Sequence, residues 1–337
     1  MKIAIVSDAW EPQVNGVVRS LRETITCLTG MDHVVRVFDP SDFRTIPCPT
    51  YPEIPLALNP WGKLTRMLDD FGPESLHIAT EGPLGWAARR YCTKRGYAFT
   101  SSYHTMFPEY VNVRTRIPLS WMYGLMRFFH ASSSAIMSAT PSLDELLIKH
   151  RFPTPVRWTR GVDIDLFRPH EDRIEFGPGP VSMYVGRVAV EKNIQGFLEL
   201  DLPGTKVVVG DGPQREELEK KYTHAIFTGA KKGEELARHF SSADVFVFPS
   251  LTDTFGLVML EALACGVPVA AFPVQGPRDV ITSPEIGHLD ADLAKAIEKA
   301  AHCSRQACRD HALGHSWNAA SNQFLGNLRP LHRGIAF

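Results

Sequence analysis

Short runs rich in β-branched residues alternate with helical patterns along this chain, stop, and begin again. "KIAIV", "HVVRVF", "SLHIA", "AFTSS", "AIMSAT" and "VRWT" read as strands. Between them lie "VVRSLRETITCLT", "GPLGWAARRYCTKRG", "PLSWMYGLMRFFHA" and "SLDELLIKH", which carry helical periodicity. A second series follows: "VSMYVG", "TKVVVG", "AIFTG", "VFVFP" and "PVAAF", separated by "NIQGFLEL", "PQREELEKKY", "KGEELARHFSSA" and "GLVMLEALACG". Alternation of this kind builds parallel sheets covered on both faces. The stretch "RGVDIDLFRPHEDRIEFGPGP", rich in Pro, Gly and charge, reads as the linker between the two series. The expected fold class is α/β, with two doubly wound, Rossmann-like domains in tandem. Ligands of such sheets bind at the carboxyl ends of the strands, so two facing domains would enclose a cleft there.

Composition narrows the function classes. Of the 337 residues 44% are apolar and 22% charged, a globular balance, and the net charge of −1 supplies no global field to attract nucleic acid. The six cysteines form no Cys-x-x-Cys and no metal-ligand spacing, so they are expected as small core residues in a reducing compartment. The start "MKIAIVSDAW" is too short for a signal-peptide core. The window nearest transmembrane length, "SLTDTFGLVMLEALACGVPVAAF", is interrupted by Glu261 and by Gly266-Val267-Pro268, both costly in a bilayer. A cytoplasmic location is expected.

Candidate chemistry clusters at strand ends. "SDAWEPQVNG" lacks Gly-x-Gly-x-x-Gly, yet Asn15-Gly16 before a helix is either an ordinary turn or a place where backbone approaches phosphate. "YVGRVAVEKN" ends a strand at Gly186 and presents Arg187 and Lys192; two such cations are either solvated or suited to a diphosphate. "VVVGDGPQREELE" places Gly210 and Asp211 after the next strand; Asp211 could cap a helix starting at Pro213, and a structural loop role is expected for it. In "TDTFGLVMLEALACG" a helix starting near Gly256 would direct the N–H groups of Thr254, Phe255, Gly256 and Leu257 at an anion. Asp253 is either its N-cap or a ligand-facing acid. Glu261 falls on the same face as Leu257, Val258, Ala264 and Cys265, pointing inward, where a ribose diol would satisfy it. His104 follows a strand in "TSSYHTMFPEY", either structural or a donor to a sugar hydroxyl or phosphate. The aromatic-rich "IPLSWMYGLMRFF" is expected as a core helix rather than a membrane face.

Taken in order, "SDAWEPQVNGVVRSL", "SYHTMFPEY", "RGVDIDLFRP", "YVGRVAVEKN", "VVVGDGP", "FTGA" and "PSLTDTFGLVMLEALACGVPVAA" resemble the retaining family-4 glycosyltransferases of the GT-B fold, a group with glycogen-synthase-like and phosphatidylinositol-mannosyltransferase-like members. "HSWNAASNQFLGNL" is similar to the terminal helix that crosses back to the first domain in that fold. The resemblance implies an acceptor domain over 1–165, a nucleotide-sugar domain over 166–315 and a returning helix over 316–337. It implies that Gly16 faces the donor's phosphate and sugar, that Arg187 and Lys192 neutralise the departing diphosphate without a metal or cofactor, and that Phe255, Gly256, Leu257 and Val258 bind phosphate and ribose. Glu261 would hold the ribose hydroxyls and His104 the transferred sugar. The family pattern is Glu, seven residues, Glu; here the first position is Asp253, a shorter arm toward the donor sugar. The implied reaction is hexosyl transfer from a UDP- or GDP-sugar, with no nucleic acid partner. No nucleophile and acid/base carboxylate pair of the retaining-glycosidase type is evident, so front-face transfer is expected. The short length and opening motifs look like the members that glycosylate membrane lipids such as diacylglycerol or phosphatidylinositol. Arg19, Arg22, Arg89, Arg90, Lys94 and Arg95 would then favour an anionic membrane surface at the inner face of the cell membrane. Rival readings are polysaccharide or small-glycoside synthesis, a nucleotide-sugar epimerase, and a non-catalytic sugar-nucleotide binder.

Overall fold

A computed structural model describes residues 1–13, 15–48, 51–104, 106–253 and 255–331. The chain divides into two compact bodies, residues 1–159 with 317–337, and residues 160–316. In the first body the order is β1 (Lys2–Val6), α1 (Gly16–Gly30), β2 (Val34–Phe38), β3 (Thr45–Cys48), β4 (Tyr51–Ala57), α2 (Trp61–Phe71), β5 (Ser75–Ile78), α3 (Pro83–Arg95), β6 (Thr100–Ser102), α4 (Phe107–Thr115), α5 (Leu119–His130), β7 (Ala135–Ser138), α6 (Pro141–Lys149) and β8 (Val156–Arg157). The second body contains β9 (Val181–Val185), α7 (Ile194–Leu198), β10 (Thr205–Val209), α8 (Arg215–Lys221), β11 (Ala225–Gly229), α9 (Gly233–Ser241), β12 (Val245–Phe248), α10 (Leu257–Ala264), β13 (Val269–Ala271), α11 (Pro277–Val280), β14 (Gly287–Leu289), α12 (Leu293–Ala300) and α13 (Arg305–Leu313). Helix α14 (Trp317–Asn327) returns to the first body.

Each body has one six-stranded sheet, ordered β2-β1-β5-β6-β7-β8 in the first and β11-β10-β9-β12-β13-β14 in the second. All their pairings are parallel, so every strand's carboxyl end lies on one edge. The order reverses between β1 and β5 in one sheet and between β9 and β12 in the other. At such switch points the flanking crossovers diverge and leave room for a ligand. The strands are sealed by apolar clusters on both faces, as expected of buried parallel sheets.

The division falls at 159/160 and 316/317, whereas 165/166 and 315/316 were expected. Residues 160–167 belong to the second body because Val162 donates to the carbonyl of His315 and Val162 and Phe167 enter its core. Helix α14 packs against the first body: Phe324 and Leu328 join Ile3, Ile5, Leu21 and Trp158. Gln323 Oε1 accepts from the Thr159 N–H at 2.8 Å, and Asn327 donates to the Arg157 carbonyl at 2.7 Å.

Helix α5 packs into the cores of the first body, as expected of a core helix, through one face only. Met122, Tyr123, Met126 and Phe129 are buried, but Trp121, Leu125 and Phe128 face outward. The cysteines are free, and Cys92, Cys265 and Cys308 sit in the cores.

Candidate functional site

The switch point of the second sheet gathers most of the predicted donor-binding residues. Gly186, Gly210 and Gly212 adopt φ of +153°, +152° and +156°, a region that favours glycine. Close approach also demands them: a Cβ on Gly210 would stand 1.8 Å from the Gly186 carbonyl oxygen, and one on Gly212 would stand 2.4 Å from that of Val188. The two loops are joined by Gly186 N–H to Val209 O (3.0 Å) and Val188 N–H to Asp211 O (2.9 Å). The Tyr184 hydroxyl donates to the Arg187 carbonyl at 2.8 Å and fixes the backbone that carries the half-buried Arg187.

Lys192 stands in a short turn after that loop and donates to both carboxylate oxygens of Asp253, at 2.6 and 2.8 Å. The two side chains are 24% and 16% exposed, so the pair is largely withdrawn from water. Asn193, in a left-handed conformation, donates to the Pro249 carbonyl at 3.1 Å and ties the β9 loop to the β12 loop. Burial pushes the Tyr184 hydroxyl well above its ordinary value, and the charges of Asp253 and Glu191 add to this. The acidic surroundings make Lys192 the local counter-charge.

Asp253 is therefore not an N-cap. Gly256 occupies the position before α10, with φ +80°, and it offers no side-chain cap. A Cβ there would meet Met259 Cε and Phe248 Cζ at 2.8 Å, so the tight entry requires glycine. Phe255 and Val258 pack against the core while Leu257 opens the helix. The first helical N–H groups lack intrahelical acceptors by construction, which makes this start a place for an anion. Thr254 lies outside the described residues. Glu261 is 2% exposed, flanked by Leu260, Ala262 and Leu263, all fully buried, as its inward face requires. At the other end of α10, Arg309 donates to the carbonyls of Ala264 (2.9 Å), Phe167 (2.7 Å) and Ile164 (3.0 Å). A cation on terminal carbonyls opposes the negative end of the helix dipole.

Asp211 has the structural loop role expected of it, though it is not a helix cap. Helix α8 begins at Arg215, after Gln214, so Asp211 lies too far ahead to cap it. Its carboxylate instead accepts from the Gly212 N–H at 2.8 Å and pairs with Arg215 at 3.3 Å, on the surface.

Gly16 and His104 belong to the first body. Gly16 begins α1, where Asn15 Oδ1 already accepts from Val17 and Val18 N–H at 3.0 Å each. His104, after β6, is half-buried with its ring edge-to-face on Trp158 at 5.4 Å. Trp158 in turn lies 4.8 Å from the Phe324 ring of α14. The returning helix thus backs the wall on which His104 rests.

Sequence reading passed over Asp8, although an acid directly after a first strand was a usable signal. At the β1/β5 switch point Asp8 accepts from Leu84 N–H (2.8 Å), Gly85 N–H (3.2 Å) and the Thr80 hydroxyl (3.0 Å). It caps α3 from a distance, since the residue before that helix is Gly82. A Cβ on Gly82 would meet Asp8 Cγ at 2.4 Å. Burial pushes the Asp8 carboxyl up to about 6 against the lowering effect of these donors, with Glu81 adding to the rise. Beside it, Glu81 pairs with His130 Nε2 at 3.1 Å, and His130 Nδ1 is hydrogen-bonded to Ser101 at 2.8 Å.

The family model "Glycosyltransferase Family 4" matches residues 14–166, and "Glycosyl transferases group 1" matches residues 179–303. The chain is 30% identical to the GDP-mannose-dependent alpha-mannosyltransferase of Mycobacterium tuberculosis, over 97% of this chain and 96% of that one. It is 27% identical to the alpha-monoglucosyldiacylglycerol synthase of Streptococcus pneumoniae, over 89% and 78%. Among solved structures, sucrose-phosphate synthase from Thermosynechococcus elongatus superposes with a TM-score of 0.79 at 21% identity, covering 96% and 97%. The chain belongs to the family-4 glycosyltransferases and has their GT-B fold.

Proposed function

We propose that this protein transfers a hexosyl unit from a nucleoside-diphosphate sugar, UDP- or GDP-linked, to a hydroxyl of a membrane lipid such as diacylglycerol or phosphatidylinositol, with retention at the anomeric carbon. The observation that carries the donor half is the joining of Lys192, Asp253 and the uncapped start of α10 at the β9/β12 switch point. Arg187 on the adjoining loop and the buried Glu261 of the same helix extend it toward a diphosphate and a ribose. A relative named for GDP-mannose-dependent transfer supports the donor class, and one named as a monoglucosyldiacylglycerol synthase supports the lipid acceptor.

In the proposed step the bond between the anomeric carbon and the diphosphate oxygen breaks while the acceptor oxygen attacks from the same face. The acceptor's proton passes to the departing diphosphate. Arg187, Lys192 and the α10 N-terminus stabilise the charge that develops there, so catalysis rests on positioning and electrostatics rather than on a metal or cofactor. Asp253 holds Lys192 in place and, as an acceptor on a short arm, limits which sugar hydroxyls it reaches. His104 would contact the transferred sugar.

The test incubates the protein with UDP-, GDP- and ADP-sugars, with and without lipid extract, and follows nucleotide release and products. Acceptor-dependent release with an α-linked lipid product is expected. An isomerised donor without acceptor, or binding without turnover, would overturn the proposal.

A further inference from the structure

Two carboxylates stand at the switch point of the first sheet, and only one of them is fully used. Asp8, after β1, accepts from Leu84 N–H at Oδ1 and from Gly85 N–H and the Thr80 hydroxyl at Oδ2. Glu81, three residues past β5, has one oxygen held. Its Oε1 meets His130 Nε2 at 3.1 Å, while Oε2 has no hydrogen-bond partner among the described residues and is not sealed from water. The side chain is 13% exposed, so a mostly buried carboxylate keeps one acceptor atom unused. Such a group is costly until a donor reaches it.

The hold on Oε1 is built into the core. His130, the last residue of α5, is fully buried among the rings of Phe129, Tyr103 and Phe152. Its Nδ1 lies 2.8 Å from the hydroxyl of Ser101, a fully buried residue of β6. Thr100 and Ser102 of the same strand are both bonded to His77 at 2.9 Å, which leaves Ser101 to His130. An ionised Glu81 only accepts, so Nε2 carries the proton and Nδ1 accepts from Ser101. Serine, imidazole and acid in this order resemble a hydrolytic triad, but Ser101 is shut inside the sheet and reaches no substrate. The relay runs the other way: Ser101 fixes His130, His130 fixes Glu81, and the acid is the member that meets a ligand.

The sheet order sets the ends of β1, β5 and β6 side by side, so Asp8, Glu81 and His104 share one rim. Residues 7–13, 79–82 and 103–104 of that rim contain no lysine or arginine. Of the α1 cations, Arg22 pairs with Glu11 at 3.1 Å, and Arg19 is engaged as well. Burial, with the charge of Glu81 adding to it, pushes the Asp8 carboxyl up to about 6. A rim with two neighbouring acids suits a hydroxyl donor and opposes a phosphate.

We propose that Glu81 is the acceptor-binding residue of the first body: its Oε2 accepts from the single hydroxyl of a neutral glycerolipid of the diacylglycerol class, and His130 and Ser101 are its positioning residues. The assignment rests on the lipid-acceptor reading and narrows it, but binding tests it without turnover. Calorimetry of the full chain, with UDP and GDP present in turn, follows dioctanoylglycerol in neutral detergent micelles. The comparison lipid is 1,2-dioctanoyloxypropane, which lacks the hydroxyl. Glu81→Gln leaves an oxygen for His130 and puts an amide donor where Oε2 was, so it should weaken dioctanoylglycerol binding ~10-fold or more. Removing the hydroxyl from the lipid should cost wild type as much, and the two losses should not add: the variant should bind both lipids within about twofold. His130→Phe releases Glu81 and should weaken binding likewise, whereas His130→Gln, with an amide for both neighbours, should recover to within about threefold of wild type. Dioctanoyl phosphatidylinositol should bind wild type at least ~10-fold more weakly than dioctanoylglycerol, and Glu81→Gln should narrow that gap. Far-UV circular dichroism checks each fold; should Glu81→Gln fail there, Glu81→Asp, with its shorter arm, carries the same cycle. Absent binding of dioctanoylglycerol, additive losses, or equal binding of phosphatidylinositol would each overturn the assignment, and sugar transfer to another lipid would then leave the proposed function standing. Hydroxyl-dependent binding through Glu81 with no transfer from any donor would sink the proposed function and leave Glu81 as assigned.

Discussion

The pair of Lys192 and Asp253 allows stability and catalysis to be separated in one experiment. At 2.6–2.8 Å two unit charges in an effective dielectric of about 20 attract by about 6 kcal/mol. Desolvation of the two groups and the loss of lysine rotamers cancel most of this, leaving a coupling of about 2 kcal/mol. Lys192→Met should be the costlier single change, about 3 kcal/mol. It strands the largely buried Asp253 carboxylate next to Tyr184, where Glu191 already contributes negative charge. Asp253→Asn keeps an acceptor for the ammonium and should cost about 1–2 kcal/mol. The double variant should then be more stable than the sum of the singles by about 2 kcal/mol, or about 4–8 °C in Tm for a body of this size. Urea and thermal unfolding of the full chain measure it. Turnover should behave differently. If Lys192 neutralises the departing diphosphate, the double variant stays ~100-fold down although its stability recovers. Single-variant costs that add within about 0.5 kcal/mol would refute the coupling. Turnover restored in the double variant would refute the catalytic role and leave Lys192 only as a partner of Asp253.

Asp8 gives a pH signature. Its folded carboxyl titrates at about 6 against an ordinary 3.8, so the stability it contributes is full below about 3.8 and is lost as pH rises through about 6. That displacement is worth about 3 kcal/mol, and Asp8→Asn should flatten the fall in urea midpoint across this window; parallel profiles would rule the assignment out. Gly210→Ala should destabilise by more than ~3 kcal/mol, because its Cβ and the Gly186 carbonyl cannot share the same space. Gly62→Ala, with nothing within 4 Å on α2, should instead be neutral or up to about 1 kcal/mol stabilising; thermal unfolding distinguishes the two. Glu261→Gln should raise the nucleotide-sugar KM about tenfold or more with a smaller effect on kcat, since the proposed ribose contact would be a binding interaction; an unchanged KM removes Glu261 from the donor site.

The alternation of strands and helices was legible because parallel strands buried on both faces are written as short continuous apolar runs. The β3–β4 ribbon was not. Pro47, Pro52 and Pro55 interrupt both of its strands, and proline reads against a strand where no central sheet is involved. Strand β14, only Gly287–Leu289, is too short to show a pattern. Within the site, Gly186 and Gly210 announced themselves as strand-ending glycines, and Glu261 as a misplaced acid in an apolar helix. The bond between Lys192 and Asp253 spans 61 positions and exists only because β10 and β11 lie on the far side of β9. Periodicity carries no information about that order. The same holds for Asp8, whose partners on α3 are 76 and 77 residues away, and for the outer face of α5, where apolar content alone did not say which side would be covered.

The two switch points also differ in how open each helix start is to an anion, which supports placing the proposed diphosphate on the second body. Each has a helix beginning after a glycine at the carboxyl edge of its sheet: α3 behind Gly82 and α10 behind Gly256. At α3 the first-turn N–H groups of Leu84 and Gly85 are already occupied by Asp8, a carboxylate from the neighbouring strand. A phosphate there would have to displace a buried acid and meet Glu81 beside it. At α10 the acid nearest the helix start, Asp253, is paired with Lys192, and the cap position is a glycine with no side chain to compete. One fold repeated in the chain thus yields two unlike sites. In the first an internal carboxylate occupies the first-turn N–H groups, and in the second the cap residue is a glycine that brings no acid of its own.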